Sequence, residues 1–213
     1  MTGVFRRLDR IELFAKNSLQ SYAVRVELTR ITPGPAGLRA LSHPVRLRML
    51  GLLRAEGPAT ATSLAARLGL NSGATSYHLR QLAEHGFVAD DPERGNGRER
   101  WWQAAHQSTT TEKPQSSDER AAQDAFLQAV AVVQTELLQR AVEEHELLPE
   151  PWRDACRFSD WMVRLTPRKA AALVAAMEAV VEDVDEDASE EAGDFLVVVQ
   201  AYPRPGTQAR EPT

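Results

Sequence analysis

The residues best suited to chemistry in this sequence are small and polar side chains that follow Leu70 within a short stretch. They are Asn71, Ser72, Gly73, Ala74, Ser76, Tyr77, His78 and Arg80. Serine, tyrosine, histidine and arginine exchange hydrogen bonds with base edges and phosphates, and small residues let a helix enter the major groove deeply. This stretch therefore predicts a helix whose first half contacts duplex DNA.

A second basic group surrounds the turn sequence Gly95-Asn96-Gly97 and consists of Arg94, Arg98 and Arg100. Because side chains alternate along a strand, Arg98 and Arg100 should share one face. A basic β-ribbon beside a DNA-contacting helix suits phosphate contact or minor-groove insertion. The alternative is that Arg98 or Arg100 pairs with Glu93 or Glu99 and only holds the hairpin together.

Other chemistries find little support in the residues. His78 and His85 share a helix face but lack a third metal ligand, and His145-Glu146 lacks the second histidine of a zinc-protease motif. The acidic residues between Glu182 and Asp194 lack the spacing of a calcium loop. We find no nucleophile with a base and no phosphate-binding glycine loop, so we expect no enzyme, no cofactor and no metal site.

Three further side chains allow two interpretations each. Trp101 and Trp102 could stack on unpaired bases, but packing within a hairpin is favoured because successive strand residues face opposite sides. Cys156 lies near Arg153 and Arg157 and could sense oxidants, although an unreactive cysteine is favoured.

The elements that must position these side chains follow from apolar spacing and turn residues. Apolar residues from Leu38 to Leu53 recur every three or four positions and predict compact helices, and Gly57-Pro58 ends them. Thr60–Leu68 predicts a short helix stopped by Gly69, and the next helix starts at Asn71 or Ser72 and runs to about His85. Phe87–Ala89 and Arg98–Gln103 predict the strands of a hairpin. The order is that of a helix-turn-helix followed by a β wing.

Three stretches, LRALSHPVRLRMLGLL, SLAARLGLNSGATSYHLRQLAEHGFV and GRERWW, together resemble the ArsR-type winged helix-turn-helix transcription regulators over about residues 37–104. The resemblance implies a homodimeric repressor that binds operator DNA and responds to a ligand. It implies a recognition helix at Ser72–His85 and a wing at Asp90–Trp102. The metal-sensing members carry a cysteine pair in the segment that corresponds to Thr62–Arg67, which has none here, so metal sensing is not expected.

Residues after the wing predict a long helix at Asp118–Leu147, with an apolar stripe of Phe126, Val130, Val133, Leu137 and Ala141. A helix of about 30 residues is about 45 Å long, more than a small winged-helix core can cover. Part of the stripe should therefore pack against a second copy, and the rest against the chain's own core. Strands are predicted at Trp161–Leu165 and Phe195–Tyr202, around a helix that begins at Thr166-Pro167.

The expected fold is mainly α with small β: a winged helix-turn-helix domain, a long helix and a small C-terminal α+β module. Five segments are expected. They are an N-terminal arm (1–34), the DNA-binding domain (35–105), a linker with the dimerisation helix (106–148), a ligand-sensing or dimer-supporting module (149–203) and a disordered tail (204–213).

Composition and charge agree with a sequence-specific DNA-binding regulator. The net charge is −5, but residues 106–213 hold 21 of the 30 acidic side chains, which leaves the remainder mildly basic. No apolar stretch is long enough to span a bilayer, no secretory signal is recognised, and Cys156 is the single cysteine. We therefore expect a cytoplasmic protein with no membrane contact. The expected partners are double-stranded DNA, a second copy and an unknown small-molecule effector. A winged-helix protein-interaction module is the alternative.

Overall fold

The computed structural model describes residues 29–92, 94, 99–185, 187, 189 and 191–206. The described residues belong to two compact units, 29–162 and 163–206. Most of the predicted N-terminal arm, the centre of the wing with Arg98, and the residues after 206 lie outside the described part. No described helix is both long enough and apolar enough to cross a membrane.

The first unit is mainly helical. Its helices are α1 (Pro35–Leu41), α2 (Pro44–Ala55), α3 (Ala61–Leu68), α4 (Ser72–Glu84), α5 (Ser117–Glu144) and α6 (Glu150–Ala155), with a 3₁₀ turn at His145–Leu147 between the last two. Pro44 separates α1 from α2, because proline favours the first turn of a helix and disfavours helical backbone before it. His43 caps α2 by accepting a hydrogen bond from the Val45 amide at its Nδ1.

Five short strands complete the first unit: β1 (Arg30–Ile31), β2 (Ala59–Thr60), β3 (Val88–Asp90), β4 (Trp101–Ala104) and β5 (Ser108–Thr109). The antiparallel sheet has the order β2-β4-β3, with Val88 opposite Ala104 and Thr60 opposite Trp101. Strands β1 and β5 pair in parallel. That pairing places regular structure in segments that the sequence predicted as an arm and a linker.

One apolar core joins the helices to the sheet. Its fully buried members include Leu41, Met49, Leu79, Leu82 and Phe87. Helices α1 and α2 pack against α5, whose Ala122, Phe126 and Ala129 are buried. The predicted inward face of Leu38–Leu53 is thus confirmed, since its residues are buried or half-buried against this core.

Arg54 fastens α2 to the segment after the wing. Its Nε donates to the His106 carbonyl at 2.8 Å and its Nη2 to Thr109 Oγ1 at 2.9 Å. Burial lowers the pKa of Arg54 to about 10, but the side chain stays charged at neutral pH. Its role is structural, because its donors are used within the fold.

The second unit contains helix α7 (Pro167–Glu182), which Thr166 caps by accepting from the Lys169 amide. The helix prediction is confirmed, but the strands predicted at Trp161–Leu165 and Phe195–Tyr202 are wrong: both segments lack ladder hydrogen bonds. High β-propensity forms a strand only beside a partner strand, and none of the described residues supplies one. The apolar side chains of both segments are exposed except that of Val199, which is half-buried. The mainly helical fold with a winged helix-turn-helix domain is confirmed.

Candidate nucleic-acid interface

Two helices joined by a very short turn form the centre of the site. Thr60 and Ser63 close a capping box at the start of α3, and Gly69 ends that helix with a φ of 64°. Glycine suits this left-handed position because it has no Cβ to clash. Asn71 then caps α4, its Oδ1 accepting from the Ala74 amide at 2.8 Å. The turn and the caps therefore lie where the sequence predicted them.

Helix α4 has one buried and one open face. Thr75, Leu79 and Leu82 are fully buried. On the open side Asn71, Ser72, Gly73 and Arg80 are exposed, and the Tyr77 side chain is 52% exposed. The remaining predicted contact residues, Ala74, Ser76 and His78, are half-buried. The first half of α4 thus presents small groups and hydrogen-bonding side chains to solvent.

The wing holds its arginines against carboxylates and indole rings. Trp102 is buried, and the Arg100 guanidinium lies 4.1 Å from the centre of its ring. Arg100 Nε also lies 3.0 Å from Asp90 Oδ2, and Arg94 Nε lies 3.4 Å from Asp91 Oδ2. The packing interpretation of Trp102 agrees with its burial. Arg100 pairs with Asp90, at the end of the neighbouring strand, rather than with the glutamates considered from sequence. Arg98, the other arginine considered there, lies outside the described residues.

Arg80 differs from the other arginines near the site. Within the described part of residues 35–105, every other arginine makes an ion pair or donates to a carbonyl or hydroxyl oxygen. Arg80 has no such partner among the described residues. It lies on α4 beside a cleft between that helix and the wing. Sequence reasoning could not single it out, because ion pairs such as Arg48–Glu136 join residues 88 positions apart.

Residues 41–90 match the family model of a helix-turn-helix domain. The chain contains a helix-turn-helix domain. The matched residues run from the end of α1 through β3, so they include the turn at Gly69 and all of α4. The second helix of the matched helix-turn-helix is α4.

Comparison with solved structures finds similar chains among transcription regulators. A possible transcriptional regulator for arsenical resistance is 25% identical, with 48% of this chain and 94% of that chain covered and a TM-score of 0.29. The regulator Tm0710 from Thermotoga maritima is 12% identical, with 83% and 91% covered and a TM-score of 0.29. MarR from E. coli is 14% identical, with 85% and 98% covered and a TM-score of 0.29. No curated protein matches the sequence.

A pair of histidines supports α4 within the helix-turn-helix domain. The rings of His43 and His78 lie 4.7 Å apart between their centres, and Tyr77 meets His78 edge-on at 5.5 Å. Burial lowers the pKa of both histidines, and the nearby Arg46 charge lowers it further. His78 Nδ1 is buried without a hydrogen-bond partner among the described residues. His78 therefore links α4 to His43, the residue that caps α2.

Helix α5 presents two apolar stripes rather than the predicted single one. Phe126, the first residue of the predicted stripe, is only 7% exposed because it lies in this chain's own core, so it is unavailable to a second chain. In the rest of that stripe Val130 and Val133 are half-buried, while Leu137 and Ala141 are exposed. A second stripe consists of Leu127, Ala131, Leu138 and Val142, all exposed. These four residues share a helix face because they are spaced by four and seven positions. We call these four residues the outward stripe. It was not predicted from the sequence, because the stripe that begins at Phe126 has the more regular spacing.

Proposed function

We propose that this protein is a sequence-specific DNA-binding transcription regulator that acts as a homodimeric repressor. The observation that carries the proposal is the open first half of α4, where Ser72, Gly73 and Tyr77 are exposed beside a rigid cap. A capped helix N-terminus keeps these side chains in one geometry, which base reading requires. The family match over residues 41–90 supports the same assignment.

In the proposed complex α4 enters the major groove, which at about 12 Å is wide enough for a helix. Some residues of the first half of α4 then face base edges, namely Asn71, Ser72, Gly73, Ala74, Ser76 and Tyr77. The wing approaches the adjacent minor groove or its phosphates. Arg94 and Arg100 begin from pairs with Asp91 and Asp90. Because the Arg100–Asp90 pair is exposed and worth at most about 1 kcal/mol, a phosphate can compete for Arg100. Asp91, the partner of Arg94, is buried.

The second copy is proposed to pack along the outer part of α5. This helix has 28 residues, about 42 Å, and its buried residues all lie in the first half. Leu138 and Val142 are 54% and 56% exposed, and burying such residues removes apolar surface from water. A two-fold axis between the two copies of this helix would bring two α4 helices to successive major grooves.

The proposal also includes an unknown small-molecule effector. The second unit is proposed either to bind this effector or to support the dimer. Exposed apolar side chains such as Phe195 and Leu196 give that unit surface to bury. Its role is separable from DNA contact, since a chain ending before residue 163 retains the helix-turn-helix domain.

The alternative function is a winged-helix module that binds protein rather than DNA. Titration of a mixed-sequence duplex with the full chain at several salt concentrations distinguishes the two. We expect log affinity to fall linearly with log salt, because bound phosphates release counterions. An affinity that is absent at low salt, or that does not respond to salt, would favour the interaction module.

A further inference from the structure

A cleft of about 320 Å³ separates helix α4 from the wing. Its walls come from the start of α3, the side of α4 and the end of the wing next to β4. The lining residues are Thr60, Ala61, Thr62, Ser76, Arg80, Glu99, Arg100 and Trp102. The cleft therefore joins the three elements that a winged helix-turn-helix places nearest to DNA.

The polar groups in this cleft suit an oxyanion. Arg80 lines it without an ion-pair partner among the described residues, and Arg100 lines it with its guanidinium fixed over Trp102. The Asp90 contact of Arg100 is made through Nε, and arginine has further donors on its terminal nitrogens. Thr62 and Ser76 add hydroxyl groups, and the positive end of α3 lies at the same wall. Glu99 is the single acid in the lining, against two arginines.

The geometry of duplex DNA indicates what occupies this space. With α4 in the major groove and the wing at the adjacent minor groove, the sugar-phosphate strand between the two grooves must cross the gap between helix and wing. We propose that the cleft seats a backbone phosphate of this strand, held by Arg80 and Arg100. The assignment rests on the proposed function, and it separates Arg80 from the base-reading residues of α4.

Two arginines are the side chains best matched to a phosphate, because their planar donor forks fit its oxygens. A phosphate contact positions the protein without reading sequence. The proposal thus predicts that Arg80 contributes equally to the binding of every duplex. A free oxyanion would find the same donors, so the test must distinguish a DNA phosphate from inorganic phosphate.

The test compares Arg80→Gln with Arg67→Gln on a mixed-sequence duplex. Arg67 is a matched control because it is an exposed arginine on α3 that pairs with Glu56 and lies outside the cleft. We expect Arg80→Gln to reduce the slope of log affinity against log salt by about 0.9, the value of one phosphate contact, and Arg80→Lys to restore most of it. Arg67→Gln should keep the wild-type slope.

The outcomes separate the cleft from the function. Wild-type protein that shows no salt-dependent affinity would contradict the proposed function itself. Wild-type binding with an unchanged slope in Arg80→Gln, or an equal loss in Arg67→Gln, would refute only the phosphate seat. Inorganic phosphate, titrated at constant ionic strength and followed by tryptophan fluorescence, should give no saturable change. A saturable change that Arg80→Gln abolishes would assign the cleft to a free oxyanion instead.

Discussion

At the scale of single residues, Tyr77 is the side chain that we propose reads bases. It is half-exposed on the open face of α4, six residues after the Asn71 cap, and its hydroxyl group can donate or accept. Tyr77→Ala should weaken binding to a specific duplex by about 1–3 kcal/mol, which is about 5–150-fold, and change binding to random duplex much less.

The control for Tyr77 is Gln81→Ala, one turn further along α4, where Gln81 donates to Glu84. Gln81 lies in the second half of the helix, which leaves the groove in the proposed complex, so the specific affinity of this variant should stay near wild type. An equal loss of Tyr77→Ala on specific and random duplexes would make Tyr77 a phosphate contact.

The His43–His78 pair gives stability a defined pH dependence. Burial and Arg46 lower the pKa of both rings below the ordinary 6.5 in the folded protein, while Arg48 also faces His43 and Tyr77 lies against His78. As pH falls below 6.5, the unfolded chain therefore takes up protons first, and the free energy of unfolding falls. Full stability is present above that range.

Urea unfolding of wild type, His78→Gln and His85→Gln at pH 7.5 and 5.0 measures this effect. The decrease on acidification should be smaller in His78→Gln and unchanged in His85→Gln, because His85 stands outside the pair. An identical pH response in all three proteins would remove the pair as its cause.

At the scale of elements, α5 carries the proposed dimer contact on its outward stripe. Leu138→Glu with Val142→Glu should give a monomer, since placing two carboxylates in an apolar interface costs several kcal/mol. Operator affinity should fall as well, because the two half-sites would then be bound independently.

The matched control for the dimer is Gln128→Glu with Gln139→Glu, which adds the same charge to the exposed face of α5 beside the outward stripe. Analytical ultracentrifugation at micromolar concentration decides between the two faces. A control that dissociates, or a Leu138/Val142 variant that remains dimeric, would place the interface elsewhere.

Elements defined by local residues were predictable from the sequence, and elements that need distant partners were not. Helices α3 and α4 follow from Thr60, Gly69 and Asn71, whose caps act within four residues. The β1–β5 pair joins Arg30 to Ser108, a contact that no local pattern encodes. The strand predicted at Phe195–Tyr202 failed for the converse reason, because apolar β-formers alone supply no partner strand.

The candidate site shows the same division. The exposed side chains of α4 could be predicted from helical spacing, since burial of Thr75, Leu79 and Leu82 fixes which face is open. The pairing of Arg100 with Asp90 and the unpaired state of Arg80 within the described residues could not. Ion pairs depend on which side chains the tertiary fold brings together. The number of arginines in the sequence is therefore larger than the number that remain unpaired and available to DNA.

At the scale of the whole molecule, the acidic residues belong mainly to the sequence that follows the helix-turn-helix and the wing. Residues 106–213 hold 21 of the 30 acids, whereas the cleft between α4 and the wing contains two arginines and one glutamate. A net charge of −5 is therefore compatible with DNA binding, because association depends on the local potential of the contact surface rather than on the total.

The most direct measurement of the central claim is selection of duplexes from a random-sequence pool by the full chain, followed by titration of the selected duplex and a scrambled one at the same salt concentration. A sequence-reading regulator should enrich a two-fold symmetric site with half-sites about one helical turn, or a multiple of it, apart. It should also bind the selected duplex at least about 10³-fold more tightly than the scrambled one. Equal affinity for both duplexes, with no enriched sequence, would contradict the claim that α4 reads DNA.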